Sequence, residues 1–330
     1  MSSYENAKIL LIAPPFFGYA KEIASELTRM GALVDYLPDR PFEMSIFKAM
    51  TRLNRELVVP FANRFYKSAL ERIGKTDYSS VLVIVGETLS PTILLHMRAL
   101  LPDAEFILYM WDSFANRKSL HKNLDYFDRA LTFDLNDANS FGMEFRPLFF
   151  STGCTPSNTC KSTFDMSFIG TAHSDRFKIV NEICSTLGPT VNQFLYLYLQ
   201  APWVYYAHKL GNPAFRSAKI SQFKFTPLDK AKVHNVFLNS ASVLDIEHPK
   251  QTGLTMRTFE TLGAQKKLIT TNRAIEQYDF YSSNNILVID RKRPCKIPEG
   301  FFKEPYEAID PVLYAKYSVN GWLNDVLNKL

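Results

Sequence analysis

The chain has 330 residues, 46% of them hydrophobic and 22% charged, with 38 Lys and Arg against 33 Asp and Glu and a formal net charge of +5. That length and composition predict two globular domains with a sizeable core and exclude disordered and collagen-like chains. The apolar runs Ile9 to Pro15 and Val81 to Val85 are far shorter than the roughly 18 to 20 residues of a spanning helix. Met1 to Lys8 lacks the basic start and apolar middle of a secretory signal, so a cytoplasmic location is expected. Cys154, Cys160, Cys184 and Cys295 form no CxxC, which predicts reduced thiols without a disulfide framework or a zinc site.

The first half alternates β-rich runs with helical patterns, the pattern of parallel βαβ units. Strands are predicted at Lys8 to Ala13, Leu33 to Leu37, Val81 to Val85, Glu105 to Tyr109, Arg129 to Phe133 and Glu144 to Leu148. The first runs into Pro14-Pro15-Phe16-Phe17-Gly18, which lacks the glycines of a dinucleotide-binding turn. A basic segment follows at 48–75, where seven cations and two carboxylates are interleaved with Phe47, Met50, Leu53, Leu57, Phe61 and Phe65. It reads either as a surface for anionic lipid or as a helix pair on the sheet with a solvated basic face, Pro60 breaking any single long helix. Glu87 follows the third strand and Asp112, beside Trp111, follows the fourth, where side chains of a doubly wound sheet meet ligands. Either carboxylate is placed to act as a base or to cap the next turn.

From Phe149 to Lys161 the periodicity gives way to Ser, Thr, Gly, Asn and Pro, so the boundary is set between domains 1–150 and 151–330. The βα pattern then restarts with a strand at Phe164 to Ile169, the turn Gly170-Thr171-Ala172-His173 and a helix from Ser174 to Leu187 that carries Arg176 in its first turn. A glycine turn at a helix amino terminus suits an anion, and suits an ordinary βα turn equally well. Phe194, Tyr196, Tyr198, Trp203, Tyr205 and Tyr206 form an aromatic cluster that fits a core, a carbohydrate platform or an interface anchor. Ala241 to Ile246 reads as a strand, Thr252 to Ala264 as a helix, and Lys267 to Thr271 and Ile286 to Ile289 as strands. Asp310 to Leu330 reads as a terminal helix that returns to the first domain. The fold class expected is α/β, with two Rossmann-like domains facing a cleft.

No P-loop, HExxH, GxSxG or kinase signature occurs, nor an Asp-x-Asp for a nucleotide-bound cation; the nearest pair is Asp245 and Glu247. The modest charge without a recognition motif argues against nucleic acid. In Gln251 to Asn272, Thr252, Gly253 and Thr255 open a helix whose first N–H groups would suit a diphosphate. Arg257 and Glu260 share one helical face, spaced for a surface ion pair or for phosphate and ribose contacts. His173 and His248 are further polar groups of the same lobe, and Gly263 permits close packing on the next strand.

The stretch GLTMRTFETLGAQKKLITTN, with SASVLDIEHP before it and the earlier DMSFIGTAHSDR, resembles the carboxyl-terminal half of GT-B glycosyltransferases, particularly the CgeB-like and family-4-like proteins of bacterial surface-polysaccharide synthesis. The similarity is clearest from Asp165 to Asn272. It implies a metal-independent enzyme without a cofactor, a nucleotide-sugar donor held by the second domain and a glycan or lipid-linked acceptor held by the first; the lipid reading of 48–75 would add peripheral membrane contact. By position Glu260 would bind the donor ribose, while Arg257, Thr255, Thr252, Gly253 and Gly170, with His173 and Arg176, would line the donor. Asp112, and after it Glu87, would be the catalytic base. Retaining family-4 enzymes carry a glutamate where this chain has Thr252, so the stereochemical outcome stays open. A nucleotide-sugar epimerase of the same fold and a non-catalytic nucleotide- or glycan-binding protein are the alternatives.

Overall fold

The computed structural model describes residues 4–15, 18–41, 55–74, 76–117, 119–151, 162–249, 252–293 and 297–327. Phe16 and Phe17, residues 48–54 and Lys75 of the basic segment, most of the linker with Cys154 and Cys160, and Cys295 lie outside them. The chain divides into two compact units, residues 1–147 with 319–330 and residues 148–318.

In the first unit β1 (Lys8–Ala13), β2 (Leu33–Pro38), β3 (Ser80–Ile84), β4 (Glu105–Met110), β5 (Arg129–Thr132) and β6 (Glu144–Phe145) form one sheet in the order β2-β1-β3-β4-β5-β6. Every pairing is parallel. The central strands are unbroken apolar runs, KILLIA, SVLVI and EFILYM, and are buried almost throughout, as helices on both faces require. The helices are α1 (Tyr19–Arg29), α2 (Val59–Ile73), α3 (Pro91–Leu100) and α4 (Leu135–Phe141). Ser90 caps α3 by accepting the Ile93 N–H at 3.3 Å, and Asp134 caps α4 by accepting the Asn136 N–H at 3.0 Å.

The second unit contains β7 (Phe164–Thr171), α5 (Arg176–Thr186), β8 (Gln193–Tyr198), α6 (Pro202–Gly211), β9 (Phe223–Lys224), α7 (Lys230–Leu238), β10 (Ser240–Asp245), α8 (Met256–Gly263), β11 (Lys267–Thr270), β12 (Ile286–Val288), α9 (Glu299–Lys303) and α10 (Pro311–Lys316). Its sheet is also parallel, in the order β12-β11-β10-β7-β8-β9. Numbered from β7 this is 6-5-4-1-2-3, the Rossmann order, and the chain reverses direction across the sheet between β7 and β10. Met166, Phe168, Phe177, Val180, Leu244 and Ile269 form the core beneath that point.

The last helix, α11 (Val319–Val326), belongs to the first unit. Trp322 is fully buried and meets the Tyr109 ring edge-on at 4.7 Å, and Asn320 donates to Glu26 at 2.9 Å. The predicted single helix from Asp310 is instead two, because the chain extends at Ser318 to bridge Phe150. Gly263 admits the Phe150 ring, 2.6 Å from where a Cβ would stand, while its helix also packs on the next strand, β11. Among the described residues no helix is long and apolar enough to cross a membrane. Cys184, the one cysteine among them, is partly buried, which pushes its thiol up to about 11.

Candidate functional site

Ligands of open parallel sheets bind outside the carboxyl ends of the strands where the order reverses. In the second unit this is the edge formed by β7 and β10. Asp245, the last residue of β10, is 1% exposed and organises it. Its Oδ2 accepts the hydroxyls of Thr255 at 2.6 Å and Thr258 at 2.9 Å, and its Oδ1 accepts Arg257 Nη1 at 3.2 Å. Thr255 in turn caps α8 by accepting the Thr258 N–H at 3.4 Å. The helix therefore starts at Met256, and Thr252 and Gly253 precede it as a loop whose carbonyls accept from Asn272 Nδ2 at 3.1 and 3.5 Å. Thr255 takes the Thr258 N–H, and the N–H groups of Met256 and Arg257 before it precede any acceptor within the helix, at its positive end.

Arg257 pairs with Asp245 and not with Glu260, and its guanidinium lies 5.9 Å from the Phe168 ring of β7. Arg176, at the start of α5, donates from Nε to the Ile246 carbonyl at 2.7 Å and has Nη1 3.3 Å from His173 Nε2. Among the described residues no carboxylate lies within ion-pair distance of it. Burial and the neighbouring Arg257 guanidinium lower it to about 10. His173 is lowered to about 4 by burial and then by Arg176 and His248, whose ring stands 5.7 Å away. His173 is thus neutral at pH 7, its Nε2 accepting a hydrogen bond from Arg176 and its Nδ1 2.9 Å from the Ser174 hydroxyl.

Arg291, beyond the end of β12, closes the other side. It grips Asp175 through Nε at 2.9 Å and Nη2 at 2.7 Å, and reaches Glu247 Oε1 at 2.5 Å. The second Glu247 oxygen accepts the Thr271 hydroxyl at 2.5 Å. Asp245 and Glu247, the sequence's nearest approach to an Asp-x-Asp, are engaged by guanidiniums and hydroxyls, and no group of three or more His, Cys, Asp or Glu arranged for a metal ion occurs among the described residues. Formal charges around the edge balance, but unevenly: Asp175, Asp245 and Glu247 are saturated by Arg291, Arg257 and threonines, whereas Arg176 has no anion of its own.

The other predicted donor residues divide. Gly170 is the seventh residue of β7, paired with Leu197, and not part of the turn; a Cβ there would stand 2.9 Å from the Phe168 ring. The turn itself is made by Ser174 at φ +57°. Glu260 is 6% exposed, with its carboxylate 3.9 Å from His234 Nε2 of α7. Arg291, Thr271 and Asn272 went unnoticed in the sequence. Arg291 sits in an Arg-Lys-Arg run that reads as solvated charge, and only its place just past a strand end marks it out.

In the first unit the turn after β3 is strained: Val85 has φ +69°, an outlier for a β-branched residue, and Gly86 follows at φ +69°. This turn sets Glu87, 4% exposed, between the guanidiniums of Arg40 and Arg117, to both of which it is paired. Arg117 Nε also donates to Asp112 Oδ2 at 2.8 Å, and Asn116 donates to Asp112 Oδ1 at 3.1 Å. Arg117 thus joins the two predicted catalytic carboxylates. Neither caps a helix: Ser90 caps α3, and the Ser113 N-terminal turn is held by its own hydroxyl on the Ala115 N–H at 3.1 Å. Asp39, beyond β2, is fully buried below them and raised to about 7 by burial and the Glu87 charge.

Structural comparison places these units among known folds. Anabaena Alr3699/HepE in complex with UDP and glucose aligns with a TM-score of 0.57 at 11% identity, covering 98% of this chain and 100% of that one. AviGT4, a glycosyltransferase involved in avilamycin A biosynthesis, also gives 0.57 at 11% identity, over 98% and 96%. The lipopolysaccharide outer core galactosyltransferase WaaB in its apo form gives 0.50 at 11%, over 98% and 100%. No protein-family model matches the sequence, and no curated protein matches it. The two parallel six-stranded α/β units therefore have the GT-B glycosyltransferase fold.

Proposed function

We propose that the protein is a cytoplasmic, metal-independent glycosyltransferase that moves a sugar from a nucleoside-diphosphate sugar to a glycan or lipid-linked acceptor in surface-polysaccharide synthesis. The observation that carries this reading is Arg176, a partly buried cation at the Rossmann switch point with no carboxylate within ion-pair distance among the described residues. Asp245 and Glu247 stabilise this guanidinium only from beyond ion-pair distance, and a buried cation without a direct ionic contact favours an anionic ligand that completes it. With Arg257 and the first N–H groups of α8 it would stabilise the negative charge that grows on the diphosphate as the sugar departs. Arg291 positions this edge by locking Asp175 to Glu247.

Glu260 would accept the ribose hydroxyls, and Asp112 would remove the acceptor proton. Asp112 suits a base better than Glu87 because its side chain is 27% exposed, whereas Glu87 is nearly sealed between two guanidiniums. Glu87 then sets the position of Arg117 and, through it, of Asp112. The test supplies nucleotide sugars with and without a panel of glycan and lipid-linked acceptors and follows release of nucleoside diphosphate. Acceptor-dependent release, undiminished by EDTA, is expected. Conversion of donor alone would mean an epimerase, and binding without turnover a non-catalytic protein.

A further inference from the structure

The outer face of α6 carries Trp203, Tyr206 and Leu210, three and four residues apart and therefore on one helical stripe. They are 71%, 57% and 88% exposed. The opposite face is firmly seated: Tyr205 is 3% exposed and donates its hydroxyl to the Ala218 carbonyl at 2.8 Å, and Val204 packs against the core. The helix is thus a firm mount, and apart from the edge-on contact of Tyr206 with Tyr205 the described residues leave its apolar stripe largely exposed. Trp203 makes no hydrogen bond or ring contact with any described residue. An indole, a phenol and an isobutyl group aligned in water are costly unless something else takes them up.

The surroundings indicate what that is. From Ile183 to Leu228 the chain has no Asp or Glu, yet Lys209, Arg216, Lys219 and Lys224 fall within it. All four are exposed, but the Lys209 ammonium turns back to donate to the Tyr205 hydroxyl at 3.1 Å and the Ala218 carbonyl at 3.4 Å, so the cations offered to a partner are Arg216, Lys219 and Lys224. A second copy of the chain is a poor occupant: three side chains of this kind offer under about 500 Å², against about 800 Å² per partner in a stable interface. A sugar is poorer still, because Leu210 offers it only methyl groups. Apolar groups with an amphipathic Trp and Tyr, ringed by cations, match the boundary of an anionic bilayer.

We propose that α6 docks the protein on an anionic membrane surface, with Trp203, Tyr206 and Leu210 entering the headgroup layer and Arg216 and Lys219 meeting lipid phosphates. This is independent of sugar transfer, and vesicle binding measures it without any turnover. The full chain is sedimented with vesicles of phosphatidylcholine alone or mixed with phosphatidylglycerol. Binding is expected only to the mixed vesicles, with a blue shift in tryptophan emission that the Trp203→Phe variant lacks. Trp203→Ser combined with Leu210→Ser should weaken it at least about ten-fold, since each removes a largely exposed apolar side chain, while leaving thermal unfolding unchanged. Lys219→Glu should weaken it further as salt is lowered. Absence of binding, equal binding by the double variant, loss with Phe61→Ser on α2 instead, or a salt-independent dimer that the double variant abolishes would each overturn the proposal.

Discussion

The Thr255 hydroxyl donates to the Asp245 carboxylate across 2.6 Å, tying the amino terminus of α8 to the carboxyl end of β10. That single contact decides where the helix starts and which way Arg257 points. Replacing the hydroxyl by a methyl removes both a helix cap and a hydrogen bond to a buried carboxylate. Thr255→Val should therefore lose about 2 kcal/mol of unfolding free energy and weaken nucleotide binding, measured by urea unfolding and calorimetry. Unchanged stability would mean that Asp245 is held without Thr255.

Trp322 seals the first unit with a helix drawn from the far end of the chain. It is fully buried against Tyr109, and Arg146 meets Asp325 at 2.6 Å beside it. Trp322→Ala should cost about 3–5 kcal/mol in denaturant unfolding, and the loss should appear in a transition of the first unit. A loss below about 1 kcal/mol would mean that α11 contributes little to that core.

Much of this was legible in the sequence, because parallel strands buried on both faces are continuous apolar runs. Lys8–Ala13 matches the predicted span, and β3, β4, β5, β10 and β11 deviate by a residue or so. What was missed has physical causes. QFLYLY pairs along β7 as strand β8, but its aromatic content read as a cluster without secondary structure. The predicted start of α8 at Thr252 is four residues early, since nothing local reveals that the Thr255 side chain is bound to a carboxylate ten positions upstream. Gly170 read as a turn glycine, whereas its lack of a Cβ makes room for the Phe168 ring on the same strand. Arg291 was hidden by its charged neighbours, and its two carboxylate partners come from distant turns.

Asp39 predicts a pH dependence opposite to the usual one for a carboxylate. Its folded pKa is raised to about 7, from about 4 in the unfolded chain, so its contribution is complete below pH 4 and is lost as pH rises through 7. His173, lowered to about 4, contributes fully above about 6.5 and loses its share as pH falls. The two oppose each other, so the wild-type profile alone does not separate them. Relative to wild type, Asp39→Asn should gain stability between pH 5 and 8, at no more than about 1.4 kcal/mol per pH unit. A constant difference across that range would show Asp39 ionised throughout.

The central claim is that the second unit holds a nucleoside diphosphate through Arg176, and calorimetric titration of UDP, ADP and GDP into the full chain and its Arg176→Met variant tests it most directly. At least one diphosphate should bind the wild type, and the variant should bind it about 10 to 100 times more weakly while unfolding at the same or a higher temperature, because it no longer carries an uncompensated guanidinium. Glu260→Ala should weaken the same nucleotide but not inorganic pyrophosphate. No binding by any diphosphate, or equal affinity in the Arg176→Met protein, would contradict the account.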